Sequence, residues 1–335
     1  MSLANNMTET RKRRKEPIVS YYTQRDLASL IGEKYPLPPS YRVLLQRYPF
    51  RITAYYRSLF LKANVADPLF RQCIPDLKEL EDTGGKDDPL EEERFMPLPN
   101  LIHRYPDRCL LIMTTECFVF CRHCNRKRRW KERMKINPPE TIEAMLRYIA
   151  DRPKVREVII SGGDPLTLKD NFLDWFLGRL RMIHHVEVIR LGSRAPVVAP
   201  MRITKRLTGI LKKYRPLWFN TQFNHPREIT EAAKEACDRI ISAGIPLSNQ
   251  SVLLKGINDD YEVMKELLYG LQRMGVRPYY LFHCDAVAGT GHFWVDIEKG
   301  ITMMEALRRD ISGLCLPRYV LDSPSPLGKI PLCVP

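Results

Sequence analysis

The run CLLIMTT, Cys109–Thr115, is an unbroken apolar stretch that ends on ECFVFCRHC, Glu116–Cys124, a loop with three thiols. An apolar run of this length, bounded by polar residues, reads as a strand covered on both faces. PPETIEAMLRYIADR (138–152) follows with helical spacing, and then a second apolar run, VREVIIS (155–161). The alternation continues through HVEVIRLGS (185–193), LWFNTQF (217–223), IPLSNQSV (245–252) and VRPYYLFH (276–283). DNFLDWFLGRLRMI, TKRLTGILKKY, TEAAKEACDRIISAG, DYEVMKELLYGLQRMG and IEKGITMMEALRRDISG lie after these strands and carry apolar residues three and four apart. That is the spacing of helices with one buried face. Six strand–helix units predict an α/β fold with a parallel sheet, either a curved, incomplete barrel or an open wound sheet. The strands read as apolar throughout rather than alternating.

Outward from this core, residues 21–100 read as a helical cap and linker. DLASLIGEKY and SYRVLLQRYPFRITAYYRSLF have helical spacing, whereas DLKELEDTGGKDDPLEEE and Pro97/Pro99 break it. Residues 1–20 read as a solvated basic tail containing RKRRK (11–15), residues 101–316 as the catalytic core, and residues 317–335 as a C-terminal segment. A net charge of +14 first suggests phosphate-bearing partners. Much of it sits in that tail and in NRKRRWKER after the cysteines, so no nucleic-acid partner is expected. The first residues lack an apolar signal core, and no stretch reaches the roughly 18 apolar residues of a bilayer span. Nine scattered cysteines argue against a disulfide framework. A cytoplasmic setting without a membrane partner is expected.

Parallel strand–helix units place the loops after their strands on one face, where active sites gather. Those loops hold Cys117–Cys124, SGGD (161–164), Ser193/Arg194, FNH (223–225), NQS (249–251) and HCD (283–285). Polar residues at all six point to an enzyme. Cys117, Cys121 and Cys124 in C-x3-C-x2-C spacing can hold zinc with a fourth ligand, or three corners of a [4Fe–4S] cube. No second C-x2-C pair favours zinc, and a cube held by three thiolates keeps one iron open for a small molecule. His123, inside the motif, is a candidate fourth ligand. Lys127, Arg128 and Arg129 read as offsetting the thiolates or facing solvent. Cys73, Cys109, Cys237, Cys315 and Cys333 are isolated and read as core or surface thiols, whereas Cys284 adjoins Asp285 at the loop face.

The cysteine spacing resembles the radical S-adenosylmethionine superfamily, and SGGDP (161–165) is similar to its glycine motif. HRYPDR (103–108), CRHCNRKRR (121–129), VREVIISGGDPL (155–166), IRLGSRAPVVAP (189–200), WFNTQFNHPREIT (218–230), NQSVLLKGIND (249–259) and RPYYLFHCD (277–285) resemble the lysine 2,3-aminomutase family over residues 45–332. The resemblance implies a partial (β/α)6 TIM-like barrel with an N-terminal helical extension. It also implies an isomerase that moves an amino group from the α to the β carbon of an amino acid. A [4Fe–4S] cluster on Cys117, Cys121 and Cys124, S-adenosylmethionine beside Ser161, Gly162, Gly163 and Asp164, and pyridoxal 5'-phosphate are its expected cofactors.

Lys329, in LDSPSPLGKIPL (321–332), matches the lysine that carries the pyridoxal aldehyde, and Arg104, Tyr105, Arg108 and Gln250 match residues around that cofactor. Arg126 matches the residue for the substrate α-carboxylate, and Asp285 and Asp322 match the pair that holds the ε-ammonium of lysine. Two acids fit a cationic side chain, lysine or arginine, better than glutamate. The chain departs from the family in a Ser323–Pro324–Ser325–Pro326 loop before Gly328, in Asp260 where a zinc-ligand cysteine is expected, and in having six residues after Lys329. No zinc is therefore expected, and a monomer or homodimer rather than a tetramer. The electron is expected from a donor such as flavodoxin or ferredoxin. Alternatives are a 2,3-aminomutase acting on arginine or glutamate, the β-lysine-forming enzyme of elongation factor P modification and, more remotely, a radical RNA-modifying enzyme.

Overall fold

A computed structural model describes residues 20–23, 26–32, 37–61, 66–132, 136–324 and 328–332. The basic run 11–15, Ser325, Pro326 and Cys333 lie outside the described residues. The segment up to residue 100 is less helical than its periodicity predicts. Strands β1 (Tyr21–Thr23) and β2 (Arg51–Thr53) pair antiparallel, and β2 interrupts the expected long helix between Pro39–Arg47 and Ala54–Ser58. Pro49 cannot donate the helical N–H, and Ile52 and Thr53 are β-branched, so a short strand wins there. Gly32, at φ +75°, closes the helix Leu27–Ile31.

Each apolar run of the core forms a strand. In chain order these are β3 (Leu101–Tyr105), β4 (Arg108–Thr114), β5 (Glu157–Gly162), β6 (Val188–Gly192), β7 (Leu217–Thr221), β8 (Leu247–Leu253), β9 (Arg277–His283), β10 (Arg318–Asp322) and β11 (Lys329–Pro331). They lie side by side in sequence order, with β4 through β10 parallel and the two outer strands antiparallel. The strands do alternate, contrary to expectation. Val158, Ile160, Ile189, Leu191, Leu217 and Phe219 are fully buried in the apolar core. Their neighbours Glu157, Arg190, Asn220 and Gln250 instead line an interior cavity. Period two therefore separates core from site most clearly along β5 and β6.

Helices α1 (Pro139–Ala150), α2 (Asp170–Arg181), α3 (Lys205–Lys213), α4 (Glu231–Ser242), α5 (Tyr261–Arg273) and α6 (Ile297–Asp310) follow β4 to β9 in turn. Each buries one apolar stripe, such as Leu173, Phe176, Leu177 and Leu180 of α2, at about 1.5–3 kcal/mol per large side chain. Their starts are set by caps: Thr204 Oγ1 accepts from Leu207 N–H and Thr230 Oγ1 from Ala233 N–H, both at 3.1 Å. Asp260 caps α5 through Glu262 N–H at 3.0 Å and Val263 N–H at 3.1 Å, a role worth about 1 kcal/mol. A cysteine there would forfeit it.

The sheet curls until its ends meet through side chains. Arg104 Nη1 of β3 donates to Asp322 Oδ1 of β10 at 3.4 Å. The Tyr105 hydroxyl also packs so closely on Gly328 that a Cβ there would lie 2.1 Å from it. Gly328 also sits at φ +67°, so glycine is required on both counts. No ladder joins β3 to β11 among the described residues. The barrel is thus open in its hydrogen bonding and bridged by an ion pair.

Candidate active site

One cavity of about 620 Å³ occupies the barrel interior, and all fifteen candidate residues line it. They come from β3, the start of β4 and the loop after it, the end of β5 and the turn after it, strand β8, the loop after β9, and the β10–β11 hairpin. The topology therefore brings together residues more than 200 positions apart.

Cys117, Cys121 and Cys124 face this cavity from the loop after β4. Burial raises the thiols of Cys117 and Cys124, the latter to about 11, and the nearest effect after burial is in each case a neighbouring thiol of the motif. Cys121 Sγ accepts from Arg194 Nη1 at 2.8 Å. The same guanidinium donates through Nη2 to Glu228 Oε1 at 2.7 Å and Gln72 Oε1 at 2.6 Å. Burial works against the Arg194 charge, but Cys121 and Glu228 hold its pKa above the usual arginine value. His123 is turned into this network. Its Nε2 lies 3.3 Å from the Gln222 amide nitrogen and 3.4 Å from that of Asn224, an arrangement that does not present Nε2 to the thiols.

The glycine turn docks on the start of that loop. A Cβ on Gly162 would lie 2.4 Å from the Thr114 carbonyl oxygen, and one on Gly163 would lie 2.2 Å from that of Glu116. Gly163 N–H donates to Thr114 O at 2.6 Å and Asp164 N–H to Glu116 O at 2.7 Å. The missing side chains thus make room for the protein's own backbone. Asp164 is likewise a joint: it accepts from Ser193 Oγ at 2.7 Å, Arg194 N–H at 2.9 Å and Leu166 N–H at 3.0 Å. Burial still pushes its pKa up to about 6.

Lys127, Arg128 and Arg129 do not face solvent but are paired with acids, and Lys127 also offsets the Cys124 thiol as expected. Lys127 donates to Glu79 Oε2 at 2.8 Å and to the Gly289 carbonyl at 2.9 Å. Burial lowers its pKa to about 8 despite Glu79. Arg122 takes the other side of Glu79, at 2.8 and 2.6 Å, so two cations share one fully buried carboxylate. Arg128 pairs with Asp88 at 3.1 Å and Glu92 at 3.3 Å, and Arg129 pairs with Glu132. Arg126 Nε and Nη2 donate to Glu92 at 3.0 and 2.6 Å, and its Nη1 lies 3.5 Å from Ser161 Oγ. Burial disfavours the Glu92 charge, yet Arg126 and Arg128 hold its pKa below the usual carboxylate value.

The acid pair is organised by the hairpin. Antiparallel register sets Asp322 opposite Lys329, and Lys329 Nζ donates to Asp322 Oδ2 at 2.9 Å. Asp285, after β9, accepts from Asn125 Nδ2 at 3.2 Å. Its Oδ1 is buried with no hydrogen-bond partner among the described residues. Burial and then the facing Asp322 push the Asp285 pKa up to about 7. Arg108 donates to Asp107 at 2.7 Å and lies 3.8 Å over the Tyr105 ring. Cys284 belongs to a small apolar cluster with Leu254, Ile257 and Phe293.

Residues 111–268 match the model of the radical SAM superfamily. The chain is 49% identical over 282 residues to an L-lysine 2,3-aminomutase of Acetoanaerobium sticklandii, covering 84% of this chain and 68% of the relative. It is 47% identical to that of Clostridium subterminale over the same shares of each chain. The chain belongs to the lysine 2,3-aminomutase family. It is therefore an isomerase of the aminomutase type, with the radical SAM (β/α) architecture. A glutamate 2,3-aminomutase of Clostridioides difficile is also related, at 42% identity over 85% of this chain and 68% of the relative.

The residues present fit the groups that the lysine 2,3-aminomutase family implies. Three thiols on one loop that line the same cavity are donors for an iron–sulfur cluster, although among the described residues no three ligating side chains already converge on a metal position. A lysine amine inside a cavity that also holds Arg104 and Arg108 suits an aldehyde carrying a phosphate. Sequence reasoning missed Glu92, which lies in an acidic stretch that resembles a solvated turn. It also assigned no role to Arg194 or Asn125. The signal for Glu92 was excess arginine facing the site, which burial requires to be paired.

Proposed function

We propose that this protein is an L-lysine 2,3-aminomutase, converting L-lysine to β-lysine with S-adenosylmethionine, a [4Fe–4S] cluster and pyridoxal 5'-phosphate. The acid pair carries the substrate assignment. Asp285 and Asp322 share a cavity with the cysteine loop, and one Asp285 oxygen is buried without a partner among the described residues. Two facing carboxylates attract an ammonium and repel a side-chain carboxylate, which disfavours glutamate. When bound, the cluster with S-adenosylmethionine supplies a hydrogen-abstracting radical, and the pyridoxal ring spreads the unpaired electron.

In this reading Cys117, Cys121 and Cys124 hold the cluster, with Arg194 offsetting the Cys121 thiolate, and the turn at Ser161, Gly162, Gly163 and Asp164 borders S-adenosylmethionine. Arg104 and Arg108 face the phosphate, Tyr105 and Gln250 border the pyridoxal group, and Lys329 presents its amine to the aldehyde. Arg126 orients the substrate carboxylate. Asp285, titrating near neutral pH, adjusts the charge of the acid pair to an arriving ammonium. The test is anaerobic incubation of reconstituted protein with S-adenosylmethionine, reductant and L-lysine, L-arginine or L-glutamate, with chiral mass-spectrometric analysis. β-Lysine is the expected product. Turnover of glutamate alone would overturn the assignment.

A further inference from the structure

The cavity's carboxylate anchor is paired before any substrate arrives, and by a residue with no assigned role. Glu92 opens a short 3-10 turn, Glu92–Phe95, directly after Glu91, a non-glycine residue at φ +49°. A left-handed residue of that kind is uncommon and costs free energy, so the surrounding contacts must hold it. They are ionic. Arg126 Nε donates to Glu92 Oε1 and Oε2 at 3.0 and 3.1 Å, and Nη2 donates to Oε1 at 2.6 Å. The Glu92 side chain is 8% exposed and that of Arg126 is 15% exposed.

A guanidinium is a planar fork with more than one usable edge. Glu92 occupies the Nε–Nη2 edge. The terminal Nη1–Nη2 edge is turned toward the glycine turn, with Nη1 3.5 Å from Ser161 Oγ. Arg128 approaches the same carboxylate at 3.3 Å and is itself paired with Asp88 at 3.1 Å. The charge felt by an incoming carboxylate is therefore that of Arg126 tempered by Glu92, and Glu92 tempered in turn by Arg128.

Resting on the functional reading above, we infer that Glu92 is a positioning residue. It fixes the plane of Arg126 so that the terminal edge meets the amino-acid carboxylate, and its charge keeps that carboxylate from being held too tightly. Both effects act chiefly through Arg126, while the weaker field of Glu92 at Asp285 reaches any ligand that carries the ammonium. They must therefore be larger for ligands that carry an α-carboxylate than for those that lack one.

The experiment uses the holoenzyme with L-lysine as substrate and 1,5-diaminopentane, the same chain without the carboxylate, as competitive inhibitor. Glu92→Gln keeps an acceptor and removes the charge, so KM for L-lysine falls about five-fold, more than kcat changes. Glu92→Ala frees the guanidinium plane, so kcat falls about ten-fold and KM rises. Arg128→Gln strengthens the pull of Glu92 on Arg126 and raises KM about three-fold, the opposite sign. The inhibition constant of 1,5-diaminopentane shifts by less than about two-fold throughout. Equal shifts for both ligands, or no change of KM in Glu92→Gln, would overturn the inference. Should Glu92→Gln fold poorly, Arg128→Gln still decides through its sign. Should the unaltered enzyme not turn lysine over, the functional reading fails by itself. Calorimetric binding of the two ligands then reads the same carboxylate-dependent difference.

Discussion

Two charged groups of the cavity are built on opposite plans. Around Arg126 every formal charge has a partner: Glu92 accepts from Arg126 and Arg128, and Arg128 also reaches Asp88. Around Asp285 the cations are unevenly shared. Two acids face one another, Arg104 and Lys329 both reach Asp322, and Asp285, met by Asn125, rises to about 7 with one oxygen left without a described partner. The first group holds its cation in place at the expense of some attraction. The second retains unmet demand for a cation, and unmet demand in a low-dielectric cavity discriminates strongly between ligands. Substrate choice is therefore set at the acids, and orientation at the arginine.

The sharpest way to break this contrast is at Lys329. Lys329→Ala should abolish turnover by on the order of 10⁴-fold or more, and remove the pyridoxal absorbance while iron content stays unchanged. Loss of both signals together would mean that the two cofactor regions fold as one unit. Next in size is Asp322→Asn, which removes the counter-charge of Lys329 and half of the acid pair. The kcat/KM for L-lysine should fall about 10²–10³-fold, and an unchanged value would move substrate choice away from the acids.

The smallest effect concerns pH. Asp285 is raised in the folded protein, so the stability it lends is fully present below its unfolded pKa, about 3.9, and is lost as pH rises through about 7. Without cofactors, Tm should fall between about pH 5.5 and about pH 8 by roughly 2–4 °C more than in Asp285→Asn. An ammonium favours the ionised acid, so KM for L-lysine should drop over the same range. A pH slope identical in Asp285→Asn would assign the titration to another group.

The core was legible because the strands and helices of a covered parallel sheet are dense in apolar residues, as in CLLIMTT and DNFLDWFLGRLRMI. The outer strands were not. LIHRY carries Arg104 and Tyr105 because it borders the cavity, and KIP is too short to show a period. The N-terminal segment misled for a related reason: local spacing favoured a helix at 51–53, while pairing with β1 favoured a strand. At the site, the cysteines stood out by spacing alone. Lys329 and Asp322 needed the family resemblance, since nothing local distinguishes them from a surface lysine and a turn aspartate. Glu92 and Arg194 act through distant partners, and pairings over 34 and 73 positions leave no short-range trace.

The hairpin that sets Asp322 opposite Lys329 makes parity a functional quantity. Side chains alternate across a strand, so a one-residue slip of β11 against β10 would point the amine out of the barrel while leaving the composition of the segment untouched. The Ser323 N–H bond to Gly328 O at 3.0 Å therefore acts as an index mark. Residues can be added to or removed from the intervening loop during evolution only in ways that return the strand to that same notch.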